Sequence, residues 1–341
     1  MTSLELDQRY SRQLRFGGIG IEGQRRLAIA RPAIVGCGAT GSALASLLAR
    51  AGVGTIRIID RDYVELSNLQ RQSLFDESDA GESLPKAIAA ARKIAAFNSQ
   101  IVVEPRVADL TPSNIATLLE GVQLILDGTD NFETRYLIND FAVQQSLPWI
   151  YTAAVGSYGV TMNIIPGKTA CLACIFPEPP RGMLETCETA GVLNTAVNWA
   201  ASLAATEAIK LLVGAQERLR GTLLSFDLWS NQHAEVAAGR PRIGCRACSE
   251  RNFLHLAGKD RPEITLCGRN SVQIHERARI VDLAEMSKRL KPHGAVRHND
   301  FVLKFWHEPY EMTLFPDGRA IIKGTTDTTV ARSLYARYVG S

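Results

Sequence analysis

The stretch AIVGCGATGSALASLLARAGVGTIRIID (Ala33–Asp60) decides the fold. Ala33–Val35 is a short apolar strand, and GCGATG (Gly36–Gly41) closes it as a glycine-rich turn. SALASLLARAGVG continues as a helix stopped by Gly52 and Gly54, and TIRIID (Thr55–Asp60) is the next strand. Glycines let a backbone approach a phosphate, and a helix N-terminus carries a partial charge of roughly +0.5. Such a turn by itself is an ordinary tight turn of an α/β fold. Its place after a strand and before a helix is the context that favours a nucleotide. Asp60 ends the second strand, where carboxylates bond ribose hydroxyls, and Asp62 competes for that role.

The alternation runs outward from there. Lys86–Asn98 is alanine-rich and helical, IVVEPRV is a third strand, and Pro112–Glu120 is helical. Val122–Asp127 (VQLILD) reads as a central parallel strand, and Asn131–Ser146 as a helix leading into PWIYTAAV. This predicts an α/β fold with a doubly wound, mostly parallel, Rossmann-like sheet over residues 25–155. Ser157–Ile165 and Thr222–Asp227 read as an antiparallel extension around a long helix, Asn194–Val213. Ile175–Gly191, with three prolines, reads as a mobile connection. Residues 263–341 contain further strands (ITLCG, DFVLKFW, YEMTLFP, AIIKG), helices at Ile280–Leu290 and Thr328–Tyr338, and a PDG hairpin turn at 316–318. The expected organisation is one domain over 1–250, with its nucleotide site in 30–155, and a small α+β domain over 263–341.

Composition narrows the chemistry. A net charge of +3 in 341 residues, with no basic run, gives no case for a nucleic-acid partner. No unbroken apolar stretch reaches about eighteen residues and the N-terminus lacks a signal peptide's apolar core, so the expectation is a cytoplasmic protein without a membrane partner. All six histidines lie at or after His233, which removes a histidine base from the first 232 residues. Seven cysteines, four of them in two CxxC pairs, point to metal chemistry in a reducing compartment.

The segment after the turn carries the functional signal. In SNLQRQ (Ser67–Gln72), Asn68, Arg71 and Gln72 supply donors on a loop at the topological switch point, and Lys86 follows at a helix start. A charge-assisted hydrogen bond to phosphate is worth roughly 1.5–3 kcal/mol. A cation in a helix's first turn opposes the dipole, and a nearby anion would explain it. DGTDN (Asp127–Asn131) closes a strand; Asp130 is a candidate magnesium ligand or a helix N-cap, and Asp127 the more structural member. Cys171, Cys174, Cys245 and Cys248 suit a closed tetrahedral zinc site. Cys187, in ETCETAG, reads equally as an acyl or sulfur acceptor and as an inert loop thiol, while Cys37 and Cys267 read as packing residues. Arg9, Arg12 and Arg15 lie on a short helix before the first strand.

Together these segments resemble the E1-like adenylyltransferases of the ThiF/MoeB/HesA group, which activate ubiquitin-like sulfur carriers. The resemblance covers residues 5–250 through RYSRQ, GCGATG, DRDYVELSNLQRQ, LPKA, DGTDNFETRYLIND, both CxxC pairs and CETAG. CGRNSVQI and FPDGRAIIKGTTD are similar to the C-terminal extension of some bacterial ThiF-type members. The resemblance implies that a carrier's C-terminal diglycine carboxylate attacks the α-phosphate of ATP, giving an acyl-adenylate and pyrophosphate without a general base. It implies that Gly36, Gly38, Ala39 and Gly41 line the phosphate turn and that Asp60 holds the ribose. Ser67, Asn68, Arg71 and Lys86 then contact the nucleotide, with Mg2+ at Asp130 beside Asn131. Arg12 enters from the partner of a homodimer, and Cys187 matches a cysteine able to bond the carrier terminus. The chain departs from the pattern at Ala39–Thr40, where Gly-Leu is common, and at Asn194–Thr195, where Gly-Pro or Ser-Pro is usual. No rhodanese domain follows, so a separate sulfurtransferase or cysteine desulfurase is expected to deliver sulfur for thiamine or molybdopterin synthesis. The competing readings are an NAD-dependent oxidoreductase, a related tRNA-modifying dehydratase and a non-catalytic scaffold. Arg71 and Lys86 count against the first, and the paired CxxC knuckles against the second.

Overall fold

The computed structural model describes residues 8–178, 190–258, 265–266, 270–274 and 280–340. Cys187, Cys267 and most of the connection before Gly191 lie outside the described residues. The chain forms two units, Met1–Ala80 with Lys86–Lys259, and Gly81–Pro85 with Asp260–Ser341.

The first unit is built on an eight-stranded sheet. Its strands are β1 (Ala33–Val35), β2 (Thr55–Asp60), β3 (Val102–Val107), β4 (Ile125–Asp127), β5 (Trp149–Val155), β6 (Tyr158–Ile164), β7 (Thr222–Asp227) and β8 (Gln232–Ala237), in the order β3-β2-β1-β4-β5-β6-β7-β8. The strands from β3 to β5 pair in parallel, and the rest antiparallel, as the mixed pattern predicted. All residues of β1 and β4 are buried, the expected signature of a sheet covered on both faces. Arg57 is the one cation of β2. It faces Glu104 across the β2–β3 ladder, its Nη2 lying 2.7 Å from Oε2, so the buried cation is neutralised.

Four main helices flank this sheet: α1 (Ala39–Ala51), α2 (Lys86–Phe97), α3 (Phe132–Gln145) and α4 (Asn194–Val213). By length and composition α4 is apolar enough to cross a membrane. Here it packs on α1 and β5, with Ala196, Ala200, Ala201, Ala204, Ala205 and Ala208 buried. Small side chains on both α1 and α4 allow that close approach.

The structure departs from the sequence reading in several elements. VQLILD pairs as a strand only over Ile125–Asp127, because β1 beside it is itself only three residues long. The helix expected over 112–120 shrinks to Ile115–Leu118. Asn114 turns its side chain back onto Thr111 N–H and Asp109 O, each at 2.8 Å, and this replaces the first helical turn. Gly20–Ile29 is a helix and Gln232–Ala237 a strand, neither of which was expected. Every residue of β8 is exposed, so no apolar alternation marks it. Asp130 does not cap α3. Asn131 does, its side chain accepting from Thr134 N–H at 2.8 Å.

In the second unit, β9 (Thr265–Leu266), β10 (Ser271–Ile274), β11 (Ala295–His298), β12 (Leu303–His307), β13 (Tyr310–Leu314) and β14 (Ala320–Lys323) form a sheet ordered β11-β12-β13-β14-β10-β9. Val272, Leu303, Phe305, Met312 and Ile322 pack with α5 (Leu283–Leu290) and α6 (Thr328–Tyr338) into a separate core. Asp282 and Asp327 cap these helices, which moves the start of α5 three residues past the expected Ile280. The PDG turn joins β13 to β14 as read.

A very tight backbone contact of the first unit lies where β1, α1 and β4 meet. A Cβ on Gly41 would lie 1.8 Å from the Gly36 carbonyl oxygen, and one on Gly128 2.2 Å from the same atom. No side chain can move to relieve either clash. Gly41→Ala is therefore expected to cost roughly 3 kcal/mol or more of stability, read as a lower urea midpoint at unchanged m-value.

Candidate nucleotide site and thiolate cluster

Gly36 begins the turn at φ +83°, and its N–H bonds Ile59 O at 2.8 Å. Both oxygens of Asp60 take backbone N–H groups, from Cys37 at 2.5 Å and Asp62 at 2.6 Å. One carboxylate thus ties the turn to the end of β2. Burial raises the pKa of Asp60, and Lys86 acts against that rise. Gly38 is a different glycine from Gly36 and Gly41. A Cβ there would meet nothing nearer than Gln72 Nε2 at 3.9 Å, so the protein's own packing does not demand it. Gly38 also caps α1 without a side-chain hydrogen bond, leaving the first-turn N–H groups open to an anion.

SNLQRQ lies against this turn. A short helical turn, Leu66–Asn68, is locked by reciprocal bonds between Glu65 and Asn68, and Asn68 Oδ1 accepts Glu65 N–H at 3.1 Å. Asn68 is buried, and its amide nitrogen has no acceptor among the described residues. Arg71 is half-buried; its Nη1 bonds Ser67 O at 2.8 Å, and it forms no ion pair among the described residues. Gln72 is 97% buried, with its Nε2 the group nearest Gly38 and its Oε1 without a hydrogen-bond partner among the described residues. A buried orphan amide beside an open glycine turn is the detail that spacing alone could not reveal.

Lys86 opens α2, 3% exposed, with its N–H on Asp62 O at 2.9 Å and its Nζ on Asp62 Oδ2 at 3.1 Å. Asp62 is therefore the partner of Lys86, and it supplies part of the counter-charge that the sequence left unexplained. Arg61, which no motif singled out, donates to Asp109 Oδ1 at 3.1 Å. Burial works against its charge, but Asp109, Asp62, Asp130 and Asp60 outweigh it and raise its pKa. Asp130, Asp60 and the Lys86–Asp62 pair thus share one electrostatic neighbourhood. Asp127 is the structural member of DGTDN: fully buried, it accepts Thr129 N–H at 2.9 Å and binds Arg135 Nε at 3.0 Å. Arg135 also holds the loop through Thr129 O at 2.6 Å, leaving Asp130 exposed at its tip.

Arg12 is not brought to this site within one chain. It is exposed on the helix Ser11–Leu14, beside Tyr10, whose ring packs at Gly52 at the far end of α1. A helix of thirteen residues spans about 20 Å.

The four cysteines do converge. Cys171, Cys174, Cys245 and Cys248 have sulfurs all within 4.8 Å of one another, with contacts of 3.8, 3.6 and 3.3 Å. A tetrahedron with metal–sulfur bonds of about 2.3 Å has edges of about 3.8 Å. The cluster therefore suits a zinc ion. From α3, Asn139 accepts Leu172 N–H at 2.8 Å, and Asp140 takes Arg246 through both carboxylate oxygens at 3.0 and 3.2 Å.

Fold and site define a nucleotide-binding α/β protein with a thiolate cluster beside its sheet. The chain belongs to the ThiF family, whose profile matches residues 10–247. It is 43% identical over 336 residues to a sulfur carrier protein ThiS adenylyltransferase of Bacillus subtilis (strain 168), covering 97% of this chain and 99% of that one. A sulfur carrier protein adenylyltransferase of Thermus thermophilus is 36% identical over 257 residues, covering 73% of this chain and 93% of that one. Among solved structures, Escherichia coli MccB with ATP matches at a TM-score of 0.62 and 25% identity, covering 71% of this chain and 74% of that one.

Gln72→Leu removes the orphan oxygen and the donor together. The ligand-free protein is expected to be as stable or more so by thermal melting, while its Kd for ATP rises about tenfold by calorimetry. Metal analysis is expected to find one zinc per chain, and Cys245→Ser to lose it together with several degrees of Tm.

Proposed function

We propose that this chain adenylates the C-terminal Gly-Gly carboxylate of a small ubiquitin-like sulfur carrier, using ATP and releasing pyrophosphate. The observation that carries the reading is one neighbourhood at the strand ends. There Lys86 pairs with Asp62, Asp62 N–H is held by Asp60 along with the Cys37 N–H of the turn, and Gln72 of SNLQRQ lies nearest the open Gly38. Near-full-length identity to a ThiS adenylyltransferase supports the substrate class.

In this mechanism the α1 N-terminus and the turn Gly36, Gly38, Ala39 and Gly41 take the phosphates through backbone N–H groups. Asp60, although both its oxygens already accept N–H bonds, keeps lone pairs for ribose hydroxyls. Ser67, Asn68, Arg71 and Lys86 contact the nucleotide, and the two cations withdraw charge as the carrier carboxylate meets the α-phosphorus. A carboxylate nucleophile needs no proton removed, so no histidine base is required. Asp130, exposed at the tip of DGTDN next to Asn131, is the residue to hold Mg2+, which would neutralise the leaving pyrophosphate. Arg12 completes the site from the second subunit of a homodimer, which agrees with its anchorage at the wrong end of α1 for its own chain. The Cys187 thiolate then attacks the acyl carbon of the adenylate and releases AMP, and sulfide-level sulfur from a separate sulfurtransferase cleaves that thioester, giving the thiocarboxylate and returning the thiol. The product is a thiocarboxylated carrier for thiamine or molybdopterin synthesis. Residues 1–250 carry the reaction, and 263–341 form an accessory domain.

ATP–pyrophosphate exchange with purified carriers of both pathways tests this. Exchange dependent on one carrier is expected, Arg71→Ala and Lys86→Ala losing at least about a hundredfold in kcat/KM. Cys187→Ala is expected to keep exchange and stop sulfur transfer. Exchange that survives Lys86→Ala would overturn the reading.

A further inference from the structure

Gly81–Pro85 belongs to the second unit, although it is surrounded in sequence by the first and runs directly into Lys86. β11 and the residue just after it hold it there. Arg297 donates to the Gly81 carbonyl, and Asn299 Nδ2 to the Glu82 carbonyl at 2.7 Å. Asn299 is itself anchored: its Oδ1 accepts Phe301 N–H at 2.8 Å and Val302 N–H at 2.9 Å. One residue after Glu82 the chain reverses. Ser83 sits at φ +51°, a left-handed conformation that side-chain-bearing residues rarely adopt, and Ser83 and Leu84 are buried. The backbone is thus gripped, reversed and buried in the residues just before Lys86.

We propose that Arg297 and Asn299 are positioning residues for the adenylation step, acting through Gly81–Pro85 on the approach of Lys86 to the nucleotide. This rests on the proposed role of Lys86. A non-glycine residue persists in the left-handed region only where surrounding contacts hold it. Freeing the two carbonyls lets Ser83 relax toward ordinary backbone, and the rotation passes through Leu84 and Pro85 to Lys86. Misplacing a catalytic group by about 1 Å can cost roughly a hundredfold in rate. The accessory domain thereby acquires a task in the chemistry without contributing a side chain to the nucleotide.

The test uses the full chain with Asn299→Asp and Arg297→Ala. Asn299→Asp keeps an oxygen for Phe301 and Val302 while removing the amide donor to Glu82. Each variant is expected to raise the KM for ATP about fivefold, one hydrogen bond's worth, with the carrier KM and the thermal midpoint unchanged. Arg297→Lys, which retains a donor, should recover most of the loss. Hydrogen exchange at the Ser83, Leu84 and Lys86 amides should accelerate in parallel. An ATP KM within about twofold of the parent value in both variants, or unchanged exchange at those amides, overturns the proposal. An unmutated protein that exchanges no pyrophosphate with any carrier overturns the adenylation reading and this role with it; amide exchange then still reports whether the grip exists.

Discussion

The carbonyl oxygen of Gly36 is the point at which three segments of chain meet. Gly41 in the first turn of α1 and Gly128 after β4 both approach it too closely for any side chain. That contact, with the Gly36 N–H on Ile59 O, joins the ends of β1, β2 and β4, where Asp60 and Asp127 sit. Asp60 completes the joint by taking N–H groups from Cys37 and Asp62. Asp62 in turn holds Lys86 by both backbone and side chain.

Charge in this region is matched locally, and the mismatches are informative. Arg57 meets Glu104, Arg61 meets Asp109, Arg135 meets Asp127 and Lys86 meets Asp62. Among the described residues Arg71 has no such carboxylate, and the side-chain Oε1 of Gln72 has no donor. Leaving a buried polar group unmatched costs roughly 1–3 kcal/mol, so this arrangement is retained against stability. A substrate that satisfies these groups on binding offsets that cost.

Much of this was legible in the sequence. Parallel strands buried on both faces announce themselves as apolar runs, and the two CxxC pairs announce their own convergence. The long α4 has the bounds expected of it, Asn194–Val213. Elements whose signal lies in contacts were not legible. The strand Gln232–Ala237 carries no apolar face because both its faces are exposed. The helix Gly20–Ile29 opens at glycine and has no side-chain cap to announce it. In the site, spacing pointed to Asn68, Arg71, Lys86 and Asp130 but could not show that Asp62 answers Lys86, nor that Asn131 takes the cap offered to Asp130. Pairings between distant loops depend on how strands twist and stack, and no local pattern encodes them.

The composite make-up of the second unit bears on how such a chain can be divided. Because it includes Gly81–Pro85, no single scission separates the two units. The Thermus thermophilus relative aligns along 93% of its own length with only 73% of this chain. A fragment cut out as residues 260–341 would lack the Gly81 and Glu82 carbonyls that Arg297 and Asn299 hold, and would leave both side chains without those acceptors.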